Sequence, residues 1–347
     1  MRKICLIVFV LIAILDGCDR QEISIEGVEF PRLRGSYLGQ TPPGCEPELF
    51  ASGIISTGMY ERDVALSPDG REFYYGLAFG NLVTILFLRL ENGFWTEPEI
   101  ASFALELNFL HFEPCITPNG DKLLFLSTRP TEDQEPKPGW GHQNIWAVDR
   151  QEDGNWSEPY DLGWPVNTEN NEYFPSVTRE GTLYFTRSYP KEGKAVIMRS
   201  FVVDGKYHEP EMLPAPVSGQ RNLYNAYIAP DESYLIACVE DQDNSGSPGL
   251  TDYYVFFRKP DDTWSEGIDM GAKINAPGTR ALSPYVSPDG KYFFFAATRQ
   301  NPDNFTAQNR ILWNHIQDIY NCPQNGSSDI YWVDAKIIQD LCPEGFD

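Results

Sequence analysis

Five times this chain writes a short turn phrase and follows it with a burst of aromatic and aliphatic residues, at spacings of 50 to 61 residues. The turns are Ser67-Pro68-Asp69-Gly70, Thr117-Pro118-Asn119-Gly120, Thr178-Arg179-Glu180-Gly181, Ala229-Pro230-Asp231-Glu232 and Ser287-Pro288-Asp289-Gly290. Behind them come Phe73-Tyr74-Tyr75, Leu123-Leu124-Phe125-Leu126, Leu183-Tyr184-Phe185, Tyr234-Leu235-Ile236 and Tyr292-Phe293-Phe294-Phe295. Pro fixes φ, Asp or Asn bonds its own backbone and Gly accepts positive φ, so each phrase predicts a hairpin turn. A repeat of this length, all strand and turn, predicts a radial β-propeller.

A second phrase interleaves with the first: Phe94-Trp95-Thr96-Glu97-Pro98, Asn155-Trp156-Ser157-Glu158-Pro159, Lys206-Tyr207-His208-Glu209-Pro210 and Thr263-Trp264-Ser265-Glu266-Gly267. Each unit then reads as an inner strand, the turn, an aromatic second strand, a third strand, and a fourth beginning at the Trp/Tyr phrase. The last unit has no fourth strand before the chain ends, while Cys45-Glu46-Pro47-Glu48-Leu49-Phe50 is such a strand with no unit of its own. The expected fold is therefore all-β: five four-stranded blades, with the N-terminal strand completing the last blade and protecting its edge.

These repeats resemble the TolB-like (WD40-like) β-propeller repeat, whose mark is Ser-Pro-Asp-Gly between an inner strand and an aromatic second strand. The resemblance covers residues 45–336, with the turns at Thr178 and Ala229 departing from the phrase. It is nearest in kind to bacterial envelope lipoproteins that carry both the Pro-Asp-Gly and the Trp-Ser-Glu-Pro phrases. What it implies is binding or scaffolding, without naming a ligand, since propellers host many unrelated functions.

Residues 1–18 read as a lipoprotein signal peptide. Arg2 and Lys3 form a basic start, and Ile4–Leu15 is an apolar stretch too short to span a bilayer comfortably. Leu15-Asp16-Gly17-Cys18 is similar to a lipobox, with Cys18 as the lipidated residue and Asp16 as a departure from it. An ordinary cleaved signal or an uncleaved anchor are the alternatives. Residues 19–44 read as a tether and 45–347 as the propeller domain, which places the protein in the cell envelope. The formal charge of −23 argues against nucleic acid as a partner, because phosphate binding requires clustered cations.

Beyond Cys18 the cysteines that follow are Cys45, Cys115, Cys238, Cys322 and Cys342. A disulfide between Cys45 and Cys342 would lock the closure, and Cys322 with Cys342 is the alternative pairing. Asp241, Asp243, Ser245 and Asp252, with Gly246 between them, stand at the spacing of a calcium loop, so Ca²⁺ is the one cofactor the sequence offers. Position 12 is Asp where a calcium loop has a bidentate Glu, and Pro248 sits inside, so the same loop reads first as a bare acidic surface turn.

In a four-stranded blade the loops entering each inner strand and those between second and third strands share one face. That face is expected to carry Arg62, His111, Arg129, Tyr173, Arg187, Arg221, Tyr224, Arg280 and Arg299, and it holds the long segments 130–143, 241–251 and 300–328, the last with room for a short helix. The arginines ending the second strands read either as ligand contacts or as braces within the ring. The reading from sequence is a non-catalytic, lipid-anchored module binding envelope proteins or cell-wall glycan. The alternative is a carbohydrate-active enzyme using Asp63, Glu113 and Glu172, since glycoside hydrolysis requires paired carboxyl groups.

Overall fold

The structure is a computed structural model, and it describes residues 30–131, 134–218, 222–240, 251–276, 280–301 and 312–346. Residues 32–347 form one compact unit, and this unit is a five-bladed β-propeller. The inner strands are Tyr60–Leu66, His111–Ile116, Asn171–Val177, Leu223–Ile228 and Ala281–Val286, which define blades 1 to 5. Each is followed by antiparallel second and third strands, such as Lys122–Ser127 and Asn144–Asp149 in blade 2. The turn phrases join first to second strands, with Gly70, Gly120, Gly181 and Gly290 all at positive φ, the conformation that glycine adopts without penalty.

The N-terminus closes the ring. Glu48–Leu49 pairs antiparallel with Asn325–Asp334, bringing Glu48 opposite Trp332 and Leu49 opposite Tyr331. Phe50 follows as a fully buried wedge, with ring centroids 5.0 Å from Phe73 of blade 1 and 5.1 Å from both Phe294 and Trp332 of blade 5. The seam begins earlier than residue 45. Tyr37 packs on Tyr292 and Trp332 and donates a 2.8 Å hydrogen bond to Asp289, while Trp95 donates its indole N–H to the Gly35 carbonyl at 2.8 Å. Arg32 and Arg34 each lie 4.0 Å from the Phe94 ring centre. Residues 32–44, expected to be part of a tether, therefore pack with the propeller.

Two expectations are corrected here. The Trp/Tyr phrase does not begin the fourth strand: its aromatic residue closes a tight hairpin on the third strand, as in Leu90 opposite Trp95. The fourth strands follow it and are only two residues long, at Glu99–Ile100, Tyr160–Asp161, Glu211–Met212 and Ile268–Asp269. The physical reason is Pro98, Pro159 and Pro210, which have no N–H to give a ladder and so interrupt the strand between hairpin and edge. Second, no disulfide joins Cys45 to Cys342. Closure is made by backbone pairing and aromatic packing, and the Cys342 thiol lies 3.9 Å from the Pro343 carbonyl. Cys18 falls outside the described residues.

Every inner strand carries a β-bulge at its middle, where the register slips between Arg62 and Ala65, Phe112 and Cys115, Tyr173 and Ser176, Tyr224 and Tyr227, and Ala281 and Pro284. The bulged residues Asp63, Glu113, Phe174 and Asn225 have φ near +50° to +61°. Such a backbone is strained for a residue with a side chain and persists only where surroundings hold it. Here a ring of bulges surrounds the propeller axis, and what holds it defines the site.

Candidate functional site at the two ends of the central channel

The ring of bulges is held by a closed circuit of hydrogen bonds. Asp63 in blade 1 accepts from the Glu113 amide of blade 2 at 3.3 Å, and Glu113 accepts from the Phe174 amide of blade 3 at 2.7 Å. Thr186 in blade 3 accepts from the Asn225 amide of blade 4 at 2.9 Å, and Asn225 donates to the Leu282 carbonyl of blade 5 at 2.5 Å. Ser283 of blade 5 then donates to Asp63, closing the circle. Each blade is thus fastened to the next around the axis by at least one side chain.

Arg62 lies across this circuit on the side of the entering loops. Its Nε meets Asp63 at 2.7 Å and its Nη2 meets Glu113 at 3.0 Å, with the guanidinium 5.2 Å from the Phe112 ring centre. Both oxygens of Asp63 and both of Glu113 consequently have donors. Burial raises the Glu113 carboxyl above its ordinary range; Arg62 opposes that shift and the neighbouring Asp63 charge reinforces it. One cation between two buried carboxyl groups favours a proton on one of them, and Glu113 is the group so disposed.

The other residues assigned to this face are engaged in the same manner. Arg129 donates to Glu106 at 2.7 Å and to the Phe103 carbonyl at 2.9 Å. Arg187 donates to Glu172 at 2.8 Å and to the Val166 carbonyl at 2.9 Å, and Arg299 donates to the Lys273 and Ile274 carbonyls, both at 2.9 Å. Each therefore braces the loop that enters its own blade. Glu172 is fully buried and also accepts from the Thr168 hydroxyl and amide at 2.6 and 3.0 Å. His111 is buried, with Nε2 3.2 Å from the Glu106 carbonyl; burial and then the Arg129 charge push its pKa down to about 3, so the ring is neutral. Tyr173 packs beside Phe112 and Leu126, and Tyr224 sits in the core between blades 4 and 5, next to the Arg280 side chain. Arg221, Asp241, Asp243 and Ser245 lie outside the described residues; Asp252 pairs with Val239 in the third strand of blade 4.

The long segment of blade 5 does contain the short helix, at Trp313–Tyr320. Its apolar side chains Leu312, Trp313, Ile316 and Tyr320 stand in solvent, with Trp313 71% exposed. The helix end packs on Gly58, where an added Cβ would come within 2.3 Å of the Tyr320 carbonyl oxygen. Met59, itself exposed, extends the apolar surface from there.

At the opposite end, among the turn phrases, the channel widens into a cavity of about 320 Å³. Its walls are Val64, Pro114, Pro175 and Pro284, then Leu66, Ile116, Val177, Ile228 and Val286, and its floor is the bulge ring. The rim is made by Pro68, Pro118, Pro230 and Pro288, with Arg179 at the corresponding place in blade 3. Sequence reading missed this cavity because its residues are the repeat itself. The available signal was Arg179, the one turn in five with a cation where the four others have proline.

No family model matches the chain, and no curated protein matches it. Among solved structures it is similar to TolB from Acinetobacter baumannii at 13% identity, over 80% of this chain and 57% of that one, with a TM-score of 0.44. The chain thus spans a little over half of TolB's length. It is also similar to a glycoside hydrolase at 9% identity, over 86% of this chain and 93% of the other, TM-score 0.49. A third is the endo-arabinase from Bacteroides thetaiotaomicron, at 12% identity over 74% and 93%, TM-score 0.44.

Proposed function

We propose that this chain is a non-catalytic binding propeller of a bacterial cell envelope, tethered through a lipid on Cys18, that docks an envelope protein on its loop face. The observation that carries the reading is the apolar stripe of Leu312, Trp313, Ile316 and Tyr320 on a solvent-facing helix. Large contiguous apolar surface exposed on a rigid scaffold marks a protein contact, and aromatic residues dominate the energy of such contacts. No helix among the described residues is long and apolar enough to cross a membrane, so in this reading the envelope attachment rests on residues 1–18.

The enzyme alternative is weakened by the geometry of its own carboxyl groups. A glycosidase acid must present a free proton to the leaving oxygen, and its partner must face the sugar or a water. Asp63 and Glu113 have donors on every oxygen, and Glu172 is sealed behind Thr168 and Arg187. The same engagement leaves Glu113, despite its raised pKa, a fastener rather than an acid. The reading is tested with a photo-crosslinking residue at position 316 of the full-length protein in its native envelope. One discrete adduct, lost in Trp313→Ala/Tyr320→Ala, is expected. Release of reducing sugar from wall or plant glycans, abolished by Glu113→Gln, would establish the enzyme instead.

A further inference from the structure

We propose that the cavity at the turn end of the channel is a binding site for a small organic anion, with the charge on Arg179, an apolar body along the proline walls, and a hydrogen bond to Tyr227. Three observations carry this. The first is shape: the space is enclosed by five blades, and its size and mostly apolar lining are those of a small-molecule site with few placed polar groups.

The second is Arg179. Its backbone amide donates to the Pro230 carbonyl of the next blade at 2.8 Å, which fixes its position on the rim between blades 3 and 4. Its guanidinium makes no ion pair or side-chain hydrogen bond among the described residues, unlike Arg62, Arg129, Arg187 and Arg299. Asp231 is near enough to feel its charge, yet that carboxylate is held by the Ser233 amide and hydroxyl at 3.1 and 2.6 Å. Asp63 and Glu113 lie at the floor, both already bound to Arg62. The charge offered to a ligand at the rim is therefore positive, and its planar fork suits a carboxylate or phosphate.

The third is Tyr227. Two residues before the turn phrase, side chains of the inner strands accept the amide of the next blade. Ser176 takes the Ile228 amide at 3.0 Å, and Tyr285 takes the Leu66 amide at 3.0 Å. Tyr227 holds the equivalent place in blade 4, but its hydroxyl has no hydrogen-bond partner among the described residues, although the residue is only 8% exposed and lines the cavity. That hydroxyl reaches the solvent of the cavity instead of being sealed in the core, so it is open to a ligand as donor or acceptor.

The test is calorimetric titration of the full-length protein with 4-phenylbutyrate, and with 4-phenylbutan-1-ol and 4-phenylbutylamine as its neutral and cationic counterparts. The carboxylate should bind, and both counterparts should bind at least about tenfold more weakly. Arg179→Gln should weaken the carboxylate by about ten- to a hundredfold, and Tyr227→Phe by about three- to tenfold, with melting temperatures held. Arg71→Gln, an exposed cation on a neighbouring turn, should leave affinity unchanged. Equal binding of the three probes, wild-type affinity in Arg179→Gln, or no binding of 4-phenylbutyrate at millimolar concentration would each overturn the site. The outcome is separable from the docking face: Trp313→Ala/Tyr320→Ala should titrate like wild type.

Discussion

The two ends of the channel are built from the same inner strands and behave as opposites. At the loop end, residues that vary from blade to blade (Arg62, Asp63, Glu113, Glu172) are bound to one another, to recurring arginines such as Arg187 and to backbone. At the turn end, residues that recur from blade to blade make an open, apolar space whose one lining cation, Arg179, has no side-chain partner among the described residues. Variation at the loop end solves a problem of assembly. Strained bulges in five non-identical blades each require a fastener, and polar or charged side chains span the gap between blades. Regularity at the turn end leaves a void, because five prolines or their equivalents cannot meet at the axis.

The largest effect that would break this picture is at the seam. Deleting Glu46–Phe50 removes the closing strand and a fully buried aromatic wedge. Phe50→Ala alone should cost about 3–5 kcal/mol, and the deletion should approach the ~5–15 kcal/mol that holds a typical domain together. Urea unfolding measures both; a deletion that melts with wild type would refute N-terminal closure.

Next in size is the loop-end lock. Arg62→Met leaves two buried carboxyl groups facing each other without a cation, a change expected to cost about 3–5 kcal/mol. If unfolding of Arg62→Met matches wild type, the circuit does not hold the bulges.

A smaller effect separates acid from neutral conditions. Burial pushes Glu61 up to about 7, and burial, aided by the Glu61 charge, pushes Asp329 up to about 7. Both face the seam between blades 1 and 5, where Ser328 donates to the Glu61 carbonyl at 2.8 Å. A carboxyl group whose folded pKa is raised binds protons more tightly when folded. Its stabilising contribution is therefore present at acid pH and lost as pH rises from the unfolded value near 4.5 through about 7. Urea midpoints should fall across this window in wild type, and Glu61→Gln should flatten the slope. An unchanged slope would mean these groups titrate alike in both states.

How much of this was legible in the sequence follows from the same contrast. Blade number and closure were legible, because the turn phrase and the stray Glu46–Phe50 segment are local signals repeated at fixed spacing. The short fourth strands were not, since the Trp phrase looks like a strand until the following proline is asked for its N–H. Arg129, Arg187 and Arg299 were correctly placed together at the ends of second strands, but whether they meet a ligand or a carbonyl depends on loop conformations that sequence does not encode locally. Arg179 was visible only as an imperfect turn.

The most direct test of the account crosses the two ends in one experiment, by measuring melting temperature and 4-phenylbutyrate affinity together on Arg187→Gln and Arg179→Gln. Arg187 is buried on Glu172 and the Val166 carbonyl, so its loss should lower stability by about 3–5 kcal/mol and leave affinity near wild type. Arg179 is exposed at the rim, so its loss should leave the melting temperature near wild type and weaken binding by about ten- to a hundredfold. The reverse pattern, with Arg187→Gln folding like wild type but losing the ligand and Arg179→Gln binding normally, would contradict the account.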